Sequence, residues 1–82
     1  MLGRYIEAAM RRARYEILDD DGTCYGEIPE CRGVYANAAT LEQCRTALAE
    51  TLEDWLLLRI HKHLPLPEID GIELTVKKES AA

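Results

Sequence analysis

The 82-residue sequence predicts one small α+β domain whose elements run α-β-β-β-α-β. Three observations carry that prediction. The N-terminus has an apolar stripe at helical spacing. An alternating pair of short runs flanks an Asp-Gly dipeptide. A long helical pattern follows a Thr-x-x-Gln start signal.

Leu2, Ile6, Ala9, Met10 and Ala13 fall at i, i+4, i+7, i+8 and i+11, one stripe of an amphipathic helix over about 2–13, with Tyr5 at its edge. Glu7 and Arg11 add a favourable i,i+4 pair. A helix this short is marginal alone, so the stripe has to dock on another element. In RYEILDDDGTCYGEI, Tyr15 and Ile17 alternate with Arg14, Glu16 and Leu18, and Cys24, Gly26 and Ile28 alternate with Tyr25 and Glu27. Two antiparallel strands are expected, joined by a type I′ turn at Asp21-Gly22, since both central positions of that turn need positive φ. Pro29 lacks an amide hydrogen and ends the ladder. PECRG is a turn in which Gly33 supplies an unusual backbone conformation, and VYAN is a short third strand.

Thr40 with Gln43 is a capping box that starts a helix over Leu41–His61. Leu41, Cys44, Leu48, Leu52, Trp55 and Leu56 form its expected core stripe. From Trp55 the pattern widens to WLLLRI, more apolar surface than one sheet face covers. Either the first helix packs there or another copy of the chain does. Pro65 and Pro67 end the helix, 72–77 (IELTVK) alternates as a last strand, and KESAA is a tail. The right-handed crossover rule sets the last strand parallel to the first, giving sheet order 3-2-1-4 with the helices on one face. The domain then divides into an N-terminal helix (1–13), a β-β-β-α-β core (14–78) and a tail (79–82).

Composition narrows the function classes. The net charge of −5 is uneven: residues 1–14 hold four arginines against Glu7, whereas 15–30 hold six acids and no base. Nucleic-acid binding needs clustered cations, so a basic protein partner suits this chain better. No apolar run approaches the ~20 residues of a membrane span. The arginines follow the first apolar residues, the reverse of a signal peptide, so a cytoplasmic location is expected. Cys24, Cys31 and Cys44 are odd in number and match no zinc pattern, and they read as reduced, small apolar residues.

No catalytic constellation is visible, and no metal or cofactor is expected. Asp19, Asp20 and Asp21 sit in a tight turn without the longer calcium-loop pattern. Glu50, Glu53 and Asp54 lie on the polar side of the long helix. His61 and His63, two apart, point about 200° from each other on a helix and cannot share a metal.

Residues 15–56 resemble the HicB-type antitoxin family, in its single-domain, UPF0150-like form. The resemblance is carried by the YEI strand, the Asp-Gly hairpin, YGEIPECRGVYANAATLEQC and ALAETLEDWL, with Tyr25, Ile28, Pro29, Gly33, Thr40 and Leu41 at the matching positions. It implies a partial RNase H-like fold and a non-enzymatic role, in which the chain binds and masks a small basic HicA-like toxin that cleaves mRNA. The acids expected to face that toxin are Asp19, Asp20, Asp21 and Glu30. Such antitoxins typically carry a C-terminal helix-turn-helix or ribbon-helix-helix segment. None follows the last strand here, so operator-DNA binding is not expected. The alternative is a self-associating structural or regulatory module without a toxin, a dimer or tetramer in contact through Tyr5, Trp55, Leu56 and Leu57.

Overall fold

A computed structural model describes residues 2–72. Helix α1 (Leu2–Arg11) leads into strands β1 (Arg14–Ile17), β2 (Cys24–Glu27) and β3 (Tyr35–Ala38), and helix α2 (Leu41–His61) follows. The fold is α+β. The strands form an antiparallel meander in order β1-β2-β3, with Tyr15 opposite Gly26 and Gly26 opposite Ala36. The expected last strand, 72–77, lies outside the described residues save for Ile72, which forms a single bridge with Ile69.

The side-chain alternation of the strands sets the two sheet faces. Cys24, Gly26, Ile28 and Ala36 are buried on one face, and α2 packs over β3 and β2 from that side. The core joins these residues to Cys44, Leu48, Leu52 and Leu56, a stripe repeating every four residues along α2. Leu41, expected in that stripe, is 52% exposed, because it occupies the first turn of α2, beyond the cover of the sheet.

Gly26 is required by close approach. A Cβ there would stand 2.9 Å from two ring carbons of Tyr15 and 3.1 Å from Cys44 Sγ. The Tyr15 ring therefore lies across the glycine, filling with an aromatic the space its own side chain leaves empty. Cys44 Sγ in turn lies 3.6 Å from the Ala36 carbonyl. All three cysteines are free and buried.

Two local expectations are corrected. Of the expected α1 stripe only Ala9 is buried, together with Tyr5 and Ala8, whereas Leu2, Ile6, Met10 and Ala13 are only partly covered. The tyrosine plugs the space between α1, Cys31 and the segment after α2. The hairpin is not a two-residue type I′ turn. Leu18 donates its amide to the Thr23 carbonyl at 2.8 Å, and Gly22 donates to the Leu18 carbonyl at 2.9 Å, so the loop spans 19–22 and only Gly22 takes positive φ (71°). Ile17 shares the helix-facing side with Cys24 but is 61% exposed, because the helices do not reach the hairpin end of β1.

Both ends of α2 are built from its own sequence. Thr40, in extended conformation, accepts the Gln43 amide at its hydroxyl, 3.1 Å. At the other end Leu64 donates to the Arg59 carbonyl at 2.8 Å and His63 to the Ile60 carbonyl at 3.1 Å. This is a Schellman motif with His63, at φ 56°, in the left-handed position that glycine usually fills. Gly33, as expected, has a left-handed backbone, φ 97°.

Candidate partner-binding surface

Three surfaces surround this core. The first is the hairpin pole. Asp19, Asp20 and Asp21 are all exposed on the 19–22 loop. Asp21 also braces the loop from within. Its Oδ1 accepts the Thr23 amide at 3.0 Å and the Thr23 hydroxyl at 2.7 Å, and those bonds, the backbone one first, hold its carboxyl below the ordinary value. Asn37 donates to the same Thr23 hydroxyl at 2.9 Å, tying the loop to β3. Asp19 and Asp20 are left as the outward charges.

Glu30 belongs elsewhere. It follows β2, whereas the aspartates precede it, so a strand of about 13 Å separates them. Arg12 Nη1 donates to Glu30 Oε2 at 3.2 Å, and the same guanidinium bonds Asp70 through Nε at 3.0 Å and through Nη2. Arg12 is thereby held more firmly protonated, chiefly by its Asp70 hydrogen bond. Glu30 is thus part of a clasp joining the end of α1, the 28–33 turn and the segment after α2. The single acidic site expected from the sequence is split across the two ends of the sheet, and its Glu30 end carries a paired charge.

The second surface is the sheet face away from the helices. Arg14, Glu16, Tyr25, Glu27, Tyr35 and Asn37 share it by register. Tyr25 and Tyr35, diagonal neighbours, stack with ring centroids 6.3 Å apart at 27°. Tyr25 donates its hydroxyl to Glu27 Oε1 at 3.1 Å, and burial together with that carboxylate raises its phenol pKa. Tyr35 is 61% exposed. The site expected from the sequence omitted this pair. The signal was present in strand parity: Tyr25 lies between the inward Cys24 and Gly26, and Tyr35 between Val34 and Ala36, so both rings had to face outward.

The third surface lies along the helices. A groove of about 650 Å³ runs between α1 and α2, floored by Ile6, Met10 and Ala49 and rimmed by Glu7, Arg45 and Glu50. The self-contact expected of Tyr5 and Leu56 is corrected, because both are fully buried inside this chain. Tyr5 donates its hydroxyl to the Pro67 carbonyl at 2.5 Å, and its pKa is pushed up to about 12 by burial and then by the neighbouring Cys31. Cys31 is itself raised to about 11, mainly by burial. Trp55 is half-buried, with the Arg59 guanidinium 4.9 Å from its ring centroid. Leu57 is exposed, and so is its neighbour Leu58.

This arrangement is suited to contact. Among the described residues no three His, Cys, Asp or Glu side chains come together to hold a metal ion, and no helix is long and apolar enough to cross a membrane.

The chain is similar to the protein in the crystal structure of TTHA0281 from Thermus thermophilus. The two are 39% identical, with a TM-score of 0.85 over 93% of this chain and 94% of that one. No curated protein matches. The family model described as UPF0150-like matches residues 4–67, which take in all three strands, α2 and most of α1. The chain belongs to the UPF0150-like family.

Proposed function

We propose that this protein is a HicB-like antitoxin-type binding protein that neutralises a small basic HicA-like, mRNA-cleaving toxin by covering it, with no reaction of its own. The observation that carries the reading is the sheet face that the described residues leave uncovered: a stacked Tyr25–Tyr35 pair flanked by Glu16 and Glu27, beside a hairpin pole that presents Asp19 and Asp20. Aromatic anchors set among carboxylates fit a partner that exposes cations on a flat surface. The chain acts in the cytoplasm, where the three buried thiols stay reduced.

The finer fold reading belongs to the same proposal. The domain is a partial RNase H-like unit of sheet order 3-2-1-4, in which 72–77 lies beside β1. In support, β1 is an edge strand among the described residues. Slow deuterium exchange at the outward amides of β1 is the expected result, and fast exchange there removes the fourth strand from that edge.

The binding test is titration with a purified small basic toxin of the HicA-like kind. Tyr35→Ala should weaken the complex by about tenfold or more, as expected of an aromatic anchor. Asp19→Asn with Asp20→Asn should slow association and flatten its salt dependence. Unchanged affinity in both variants rejects this surface. A second reading, a self-associating module without a toxin, is favoured by the exposed Leu57 and Leu58.

A further inference from the structure

We propose, resting on the toxin-masking role above, that the outer edge of β3 accepts an added strand: an extended segment of the basic partner pairs antiparallel with Tyr35–Ala38 and carries the sheet one strand further.

The ladder itself points there. Ile28 donates its amide to the Val34 carbonyl at 3.2 Å, which makes Ile28 and Val34 a hydrogen-bonded pair. Such pairs recur at every second residue of an antiparallel ladder, so Gly26–Ala36 and Cys24–Ala38 are the next two. The amides and carbonyls of Tyr35 and Asn37 therefore point away from β2. Among the described residues β3 has a neighbouring strand on one side only, and none of these four groups finds a partner. Two residues of an antiparallel strand, set opposite Tyr35 and Asn37, satisfy all four.

Edge strands are usually guarded by charge, proline or a bulge. Tyr35-Ala36-Asn37-Ala38 has no charged residue and no proline, and its register with β2 is unbroken. β1, at the other edge, carries Arg14 and Glu16. Two further observations choose the occupant. Directly opposed residues share a face, so the partner residues set against Tyr35 and Asn37 place their side chains on the tyrosine face, beside the exposed Tyr35 ring. The added strand is thus continuous with the contact proposed for that ring. Glu27 stands opposite Tyr35, and Asp19 and Asp20 lie at the Ala38 end of the sheet, against Arg32 before the Tyr35 end. This surplus of acid favours a basic segment.

The test is amide hydrogen exchange followed by NMR on the full chain, alone and with a purified HicA-like toxin. In the free chain the Tyr35 and Asn37 amides should exchange fast at every protein concentration. In the complex they should slow by at least about tenfold, while the Ala36 amide, already bonded to β2, changes little. Asn37→Pro removes an edge donor and leaves the ladder to β2 intact, so it should weaken the complex by about tenfold. Asn37→Ala keeps that amide and should bind as the wild type does. A complex that forms with both amides still fast overturns the added strand and leaves toxin masking standing, whereas no complex at all overturns both. Asn37→Pro that binds no more weakly than Asn37→Ala overturns the added strand as well. So does protection in the free chain: independent of concentration, it means that the chain closes its own edge, and rising with concentration, that a second copy does.

Discussion

Two buried hydroxyl and thiol groups show how single residues set the conditions under which this fold is stable. Tyr5 spans from α1 to the Pro67 carbonyl, and Cys31 lies beside it. Tyr5→Phe should cost about 1–2 kcal/mol in urea unfolding, since it leaves that carbonyl without its donor. Both groups are raised on folding, so the fold favours their neutral forms. Their contribution is complete below the ordinary values of 9.0 for the thiol and 10.0 for the phenol, and is lost as pH rises towards about 11 and about 12. Unfolding followed from about pH 7 to about pH 12 should show a plateau and then a decline beginning near about pH 9, and Tyr5→Phe should flatten its upper part. Gly26 gives a steric counterpart. Gly26→Ala forces the Tyr15 ring or Cys44 to move, and overpacking of this kind should destabilise by about 1–3 kcal/mol.

At the scale of elements, α2 concentrates both the stability and the ambiguity. Leu48→Ala empties a fully buried site and should cost about 2–5 kcal/mol, whereas Leu41→Ala, in the exposed first turn, should stay within about 0.5 kcal/mol. His63→Gly should raise stability by about 1 kcal/mol, because it removes the penalty of a Cβ in the left-handed position that closes the helix. The bounds of α2 and its four-residue core stripe were legible because a strong period and a capping threonine marked them. The direction of residues 55–58 was only partly legible: the four-residue stripe set Leu56 inward, but the unbroken apolar run also left it among the residues expected at an outer contact. In α1 the expected stripe was right about Ala9 only: burial falls on Tyr5, Ala8 and Ala9, and the larger aliphatic side chains stay partly exposed. The Asp-Gly turn was placed correctly but typed wrongly, because the type follows from the Leu18–Thr23 pairing across the loop, which the dipeptide alone does not fix.

At the scale of the whole molecule, the helices occupy one side of the sheet and, among the described residues, leave the other side open. The candidate site was only partly legible for that reason. The aspartates announced themselves by composition. Glu30 stands near them in sequence, but β2 carries it to the opposite end of the sheet, where Arg12 holds it. The tyrosine face became visible only when strand register set Tyr25 beside Tyr35. The proposed toxin contact falls on this open sheet face, apart from the helical layer. The most direct measurement is inhibition of mRNA cleavage by a purified HicA-like toxin as this chain is titrated in. Complete protection at a fixed stoichiometry, weakened by Tyr35→Ala and by added salt, is the expected result. Undiminished cleavage at saturating amounts of the folded chain contradicts it.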